Sequence, residues 1–134
     1  MYLEWNESYS VGMKACDDEH KILFSLINSL HAGIEEKRDR QALEEVLAGL
    51  VAYVKVHFNS EETIMLKYGY PGYRKHKDEH DLFAFKTGYF HYLIQEGKAV
   101  LSVEVLRFMV EWLEKHLNGT DKLCTPFLAE KGVT

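Results

Sequence analysis

The sequence predicts an all-α protein, an antiparallel up-down-up-down four-helix bundle preceded by an extended N-terminal arm. Two observations lead to this fold class. Four long stretches repeat apolar residues at intervals of three and four, which is the period of a helix with one buried face. Short segments containing glycine or proline separate some of these stretches, and short connections favour antiparallel neighbours.

Composition limits the classes of protein to which the chain can belong. We expect residues 1–134 to form a single domain, because this length supports one independent core. The net charge of −5 argues against a nucleic-acid-binding face, which would be basic. No apolar run approaches the roughly 20 residues of a membrane span, and the start of the chain lacks a signal-peptide pattern. We therefore expect a cytoplasmic protein, bound to neither nucleic acid nor membrane, in which Cys16 and Cys124 stay reduced.

The first 16 or so residues carry Trp5, Tyr9 and Val11 without helical spacing, which indicates an arm laid over the surface. The first helix is predicted to begin at Asp17 or Asp18, where an aspartate can cap free backbone N–H groups, and to end near residue 37. When its apolar stripe is extended backwards by one step, it includes a histidine: His20, Leu23, Ile27, Leu30 and Ile34.

The second helix is predicted from about residue 39 to 68 and the third from about residue 72 to 95. Gly69 can take the left-handed conformation that ends a helix, and Pro71 cannot continue one, so the chain reverses here. Gly97 is expected to close the third helix. The fourth helix follows Ser102 and ends near His116, and residues 120 to 131 can hold one more short helix.

Six polar side chains interrupt the apolar stripes, and the topology brings them to one end of the core. Two pairs lie four residues apart, so that each pair shares one face of its helix: His57 with Glu61, and His76 with His80. The other two stand near the start of the first helix and at the end of the fourth: His20 and His116. In an antiparallel bundle those four places meet.

A single histidine on an apolar stripe is more often a hydrogen-bonded core residue than a metal ligand. Six polar side chains at one level are a different case, since burying a polar group without a partner costs roughly 1 to 3 kcal/mol. Their sum would be comparable with the whole stability of a domain, about 5 to 15 kcal/mol. A buried salt-bridge cluster around Glu61 would require several neighbouring histidines to be protonated together. The pattern therefore favours a metal site.

Asp121 is a seventh candidate ligand, although a spacing of five from His116 does not keep both on one face of a regular α-helix. Gly119 offers a left-handed break, and a tightened or unwound final turn would bring Asp121 over the site. Glu62 points off the core face and is expected to be solvated.

In the order and spacing of these ligands, H…HxxxE…HxxxH…HxxxxD, the chain resembles the hemerythrins, and specifically the bacterial single-domain hemerythrins. The resemblance also covers residues 5–12 (WNESYSVG), 18–20 (DEH), 57–65 (HFNSEETIM) and 112–121 (WLEKHLNGTD). It implies two non-haem iron ions joined by an oxo or hydroxo group. It implies that His76, His80 and His116 bind one iron and that His20 and His57 bind the other. Glu61 and Asp121 would bridge both irons. Many relatives carry a tyrosine in place of Cys124, which leaves the nearby pocket undefined.

The resemblance implies reversible binding of dioxygen and no enzymatic activity. Two bridging carboxylates and one bridging oxygen give the three-histidine iron about six ligands and the two-histidine iron about five, so one position stays open. Apolar side chains close to the ligands in sequence are expected to shield that position from water: Leu23, Phe58, Leu113 and Leu117.

Three alternatives remain. A ferroxidase or iron-storage di-iron enzyme would use carboxylate-rich Glu-x-x-His motifs, and none of the five ligand histidines has a glutamate three residues before it. A structural zinc site is disfavoured by seven ligands in two bridged sets. An oxygen or redox sensor would use the same site and act through a protein partner that the sequence does not identify.

Overall fold

The computed structural model describes residues 2–98 and 103–133, and these contain helices and no strand. Four long helices form the bundle, and a short fifth helix follows: α1 (Lys14–Glu35), α2 (Arg40–Lys67), α3 (Tyr73–Gln95), α4 (Val103–His116) and α5 (Lys122–Glu130). Helices α1 and α3 each pack against both α2 and α4. The predicted all-α four-helix class is therefore confirmed. Ser102, the predicted boundary before the fourth helix, lies outside the described residues.

Short-range features set the helix ends where the sequence indicates them. Asp39 caps α2, because its Oδ1 accepts a hydrogen bond from the backbone N–H of Ala42 over 2.9 Å. Gly69 follows α2 with φ +67°, and Gly97 follows α3 with φ +71°. Gly69 thus has the left-handed conformation predicted for it, and Gly97, predicted to close the third helix, does so in the same conformation.

The start of α1 differs from the prediction. The helix begins at Lys14, about one turn early, and Asp17 does not cap it. Instead, the Asp17 carboxylate accepts hydrogen bonds from Ser10 Oγ over 2.6 Å and from the Val11 backbone N–H over 2.9 Å. Asp17 therefore fastens the end of the arm to α1.

The N-terminal arm is extended except for one 3-10 turn at Glu7–Tyr9. The rings of Trp5 and Tyr9 meet Phe24 of α1 edge-on at centroid distances of 5.3 and 5.1 Å. The Tyr9 hydroxyl also donates to Glu114 of α4 over 3.1 Å. These contacts hold the arm across α1 and α4.

Most buried apolar side chains belong to one core that the four long helices share. A smaller cluster lies where the start of α1, the end of α2 and α5 meet, and it contains Met13, Met65, Cys124 and Leu128. Cys16 and Cys124 are both free thiols. Among the described residues, no helix is both long and apolar enough to cross a membrane.

Candidate metal centre

The structure brings all seven predicted ligand residues together at one end of the bundle. They form two groups, and within each group the candidate ligand atoms lie within 4.8 Å of one another: His76, His80, His116 and Asp121; His20, His57 and Glu61. All are buried except Glu61, which is partly buried. Each of the four long helices contributes at least one histidine.

Glu61 faces both groups. Its Oε1 lies 2.6 Å from Nε2 of His57, and its Oε2 lies 3.7 Å from Nε2 of His76. Because one oxygen points toward each group, this carboxylate has the position needed to bridge two ions. The i, i+4 spacing of His57 and Glu61 within α2 places both side chains on one face.

Asp121 reaches the site through a π-helical turn, Leu117–Asp121, that joins α4 to α5. A π turn pairs residues five apart, so it places Asp121 above His116. Asp121 Oδ1 lies 3.0 Å from Nε2 of His116, and Oδ2 lies 3.5 Å from Nε2 of His20. The predicted left-handed break is wrong, since Gly119 does not have a positive φ. Of the two predicted alternatives, a tightened or an unwound final turn, the π turn corresponds to the unwound one. One added residue in the turn keeps the helix continuous.

Several buried polar atoms of the site form no hydrogen bond among the described residues, although ring nitrogens lie close to some of the carboxylate oxygens: Glu61 Oε1, both ring nitrogens of His76, both oxygens of Asp121 and Nδ1 of His20. His76 Nε2 and Asp121 Oδ1, for example, are 2.9 Å apart without a hydrogen bond between them. Buried polar groups are almost always satisfied, and a missing ion is one of the few physical explanations for exceptions. Nitrogen and carboxylate donors of this kind suit first-row transition metals. The residues present therefore fit a pair of metal cations.

Three glutamates outside the predicted ligand set hold candidate ligand histidines by the ring nitrogen that points away from the site. The Nδ1–H groups of His57, His80 and His116 donate to the carboxylates of Glu19, Glu62 and Glu79 over 2.7, 2.8 and 2.9 Å, respectively. Such bonds fix the ring orientation and leave Nε2 free to bind a metal. Sequence analysis missed these roles.

Glu62 is one of these three, so the prediction that it is solvated is wrong. Its side chain is only 14% exposed, and it also lies 3.6 Å from Lys77 Nζ. The first turns of α3 pack against the end of α2 and cover it. The sequence could have indicated this role, since Glu62 directly follows the candidate ligand Glu61 on the same helix.

The protein environment raises the pKa values of some candidate ligands and lowers those of others. Burial, assisted by His116 and His76, lowers the pKa of His80 to about 2. Burial also opposes the charged form of His57, but Glu61 and Glu19 outweigh it and raise the pKa of His57 to about 9. Burial raises the pKa of Asp121, yet the neighbouring His116 holds it well below its usual range. Asp121 is therefore an ionised, negatively charged candidate ligand at neutral pH.

A small cavity of about 30 Å³ touches His20, Glu61 and Asp121. Sulfur-containing side chains form part of its wall: Met13, Cys16, Met65 and Cys124. A cavity of this volume has room for one or two water-sized molecules. Burial raises the pKa of the Cys124 thiol to about 12, so the thiol is protonated and unreactive at neutral pH.

The four side chains predicted to shield the open position do not line this cavity. All are buried in the main core: Leu23, Phe58, Leu113 and Leu117. Phe58 contacts the site directly, because its ring stacks on His80 with centroids 3.8 Å apart and planes at 2°. The shielding role of these four residues remains a prediction.

Comparisons with known proteins agree with this geometry. Residues 11–128 match the family model described as the hemerythrin HHE cation binding domain. The bacteriohemerythrin of Methylococcus capsulatus is 35% identical over 113 residues, which cover 84% of this chain and 86% of that protein. The hemerythrin-like protein of Naegleria gruberi is 30% identical over 119 residues, which cover 87% and 86%, respectively. A crystal structure of wild-type hemerythrin superposes with a TM-score of 0.90 at 32% identity, covering 96% of this chain and 98% of that one.

Proposed function

This chain belongs to the hemerythrin family, and on that premise we propose that it binds dioxygen reversibly at two non-haem irons, as a carrier, store or donor of oxygen. One observation carries the proposal. Glu61 directs one carboxylate oxygen toward each group of histidines, and Asp121 does the same. Two carboxylates placed between two histidine groups suit a bridged pair of ions.

The proposed centre divides its ligands unequally. His76, His80 and His116 would hold one iron, His20 and His57 the other, and Glu61 and Asp121 both, together with an oxo or hydroxo group. When bound, the ferrous pair supplies the two electrons that dioxygen binding requires. The imbalance of three histidines against two would leave one open position on the side of His20 and His57.

The remaining residues would orient the ligands and exclude water. Glu19, Glu62 and Glu79 hold three imidazoles through Nδ1, so that each Nε2 points inward. Leu23, Phe58, Leu113 and Leu117 would form the apolar wall that keeps water and protons from the open position. Such a wall favours reversible binding, because entry of water or a proton promotes oxidation of the irons.

The donor set supports a binding protein in preference to an oxidase. Among the described residues, each of the two ligand groups contains only one carboxylate. Carboxylate-rich sites characterise the di-iron enzymes built on similar bundles, and imidazoles give less support to high-valent iron. We also propose that the 134 residues act as one domain in the cytoplasm, where free cysteines are the normal state.

The test is anaerobic reconstitution with ferrous iron, followed by optical spectra during repeated cycles of air and argon. We expect about two irons per chain and a spectrum that forms and disappears reversibly. His76→Ala should abolish the response, whereas His31→Ala should not, since His31 stacks on Tyr2 outside the ligand groups. Irreversible oxidation of the wild type in the first cycle would contradict the proposal.

A further inference from the structure

An open groove of about 420 Å³ lies over the three-histidine group, between the start of α3 and the junction of α4 with α5. Its floor includes His116, which is only 3% exposed, and Glu79, which accepts the Nδ1–H of that histidine. A molecule seated in this groove would therefore stand directly above a candidate metal ligand.

The groove is basic at its rim, although the chain as a whole carries a net charge of −5. Lys75 and Lys115 are exposed, and neither forms an ion pair with any residue in 2–98 or 103–133. The one carboxylate in the groove, that of Glu79, is already engaged by His116 and by the Thr120 hydroxyl over 2.6 Å. The unpaired charge presented to solvent is therefore positive, and it complements an acidic surface.

Apolar side chains complete the groove. Leu82 and Leu123 are 47% and 66% exposed, respectively, and both line it. Trp112 lines it as well, and its indole stacks on the His116 ring with centroids 4.4 Å apart and planes at 15°. A partner that covers these residues would contact the indole of Trp112, which stacks on His116 of the three-histidine group.

A second groove, of about 130 Å³, reaches His80 and differs in charge. Its ionisable lining residues besides His80 are Lys55, Glu62 and Asp81, and both carboxylates lie within 3.6 Å of Lys77 Nζ. Among the described residues, the first groove therefore presents two unpaired lysines and the second presents one, so an acidic partner is favoured at the first. Lys55 provides a matched position for a control.

We propose that the groove bounded by Lys75 and Lys115 docks a small acidic one-electron carrier protein, which reduces the irons after they have oxidised. This inference rests on the proposed function, because only an iron pair that cycles between oxidation states needs such a partner. Each carrier gives up one electron and is oxidised. Two encounters therefore convert two ferric ions into two ferrous ions.

The test uses the iron-loaded full chain and an acidic [2Fe–2S] ferredoxin as the probe. Binding is measured by calorimetry at low salt, and reduction of the ferric protein by the reduced ferredoxin is measured by stopped flow. We expect Lys75→Glu combined with Lys115→Glu to weaken binding and slow association by about tenfold or more, with the difference shrinking at high salt. Leu123→Asp should weaken binding through both charge and lost apolar contact.

The controls separate docking from other effects. Lys55→Glu should bind the ferredoxin within about twofold of the wild type, and dithionite at high salt, where its own charge is screened, should reduce every variant at a similar rate. Equal ferredoxin binding by the wild type and the double variant, or tighter binding of a basic cytochrome c, would overturn the proposal. Reversible oxygenation is followed on the same preparation. Its failure with groove-dependent binding intact would refute the proposed function and still support the docking surface.

Discussion

Replacing Glu79 by glutamine tests whether carboxylates outside the ligand set stabilise the metal centre. Glu79 accepts hydrogen bonds from His116 Nδ1 over 2.9 Å and from Thr120 Oγ1 over 2.6 Å, so it spans the start and the interior of the π turn. The hydrogen bond from His116 lowers the pKa of Glu79, so the carboxylate is ionised at neutral pH. Glutamine keeps one acceptor oxygen and loses the charge. Loss of such a partner typically costs about 10- to 100-fold in metal affinity, or about 1.4 to 2.8 kcal/mol.

Anaerobic competition between the protein and a ferrous chelator measures this loss. Asp78→Asn is the matched control, because Asp78 is the preceding residue, is 64% exposed and lies 3.7 Å from Arg74. We expect this variant to retain iron like the wild type. Circular dichroism verifies that all three proteins are folded. The same chelator midpoint for folded Glu79→Gln and wild type would refute the argument that this hydrogen bond supports the site.

Metal analysis of the reconstituted wild type should give about two irons per chain, and one iron or stoichiometric zinc would contradict the two-ion site. Glu61→Ala should lose more iron than His20→Ala, because Glu61 faces both groups and offsets the repulsion between two cations; equal retention would contradict this order. Leu117→Ala removes a fully buried side chain and should cost roughly 2 to 5 kcal/mol of stability. If Leu117 also shields the open position, the oxygenated spectrum should decay several-fold faster in the folded variant. Stopped-flow decay at the wild-type rate would refute the shielding role and show that Leu117 only packs in the core.

The helices and the gathering of six of the seven candidate ligands, all but Asp121, could be predicted because both depend on periodicity. An i, i+4 pair shares a helical face whatever the surrounding structure, as His57 and Glu61 do. Antiparallel topology then brings the end of one helix to the start of the next. Gly69 and Gly97 mark helix ends through backbone conformation, which is also a local property.

Three features depend on packing and could not be predicted in the same way. The π turn before Asp121 has no distinct residue pattern, because a widened turn depends on what the following helix packs against. Asp17 meets the criterion for a helix cap, but the arm uses its carboxylate instead. The cavity beside Cys124 follows from the shapes of side chains on three separate segments. In each case, tertiary contacts decide between alternatives that are locally equivalent.

The positions of Glu19, Glu62 and Glu79 depend on both local sequence and helix packing. Each stands next to a ligand in sequence, and a neighbouring residue is turned by about 100° around the helix axis. It therefore faces the adjacent helix, not the centre of the bundle. Accordingly, Glu19 of α1 bonds the ligand histidine of α2, Glu62 of α2 bonds one of α3, and Glu79 of α3 bonds that of α4. Each hydrogen bond both orients a candidate metal ligand and joins consecutive helices. Metal affinity and helix packing would consequently be coupled, since ions that bind only the folded chain would stabilise the bundle.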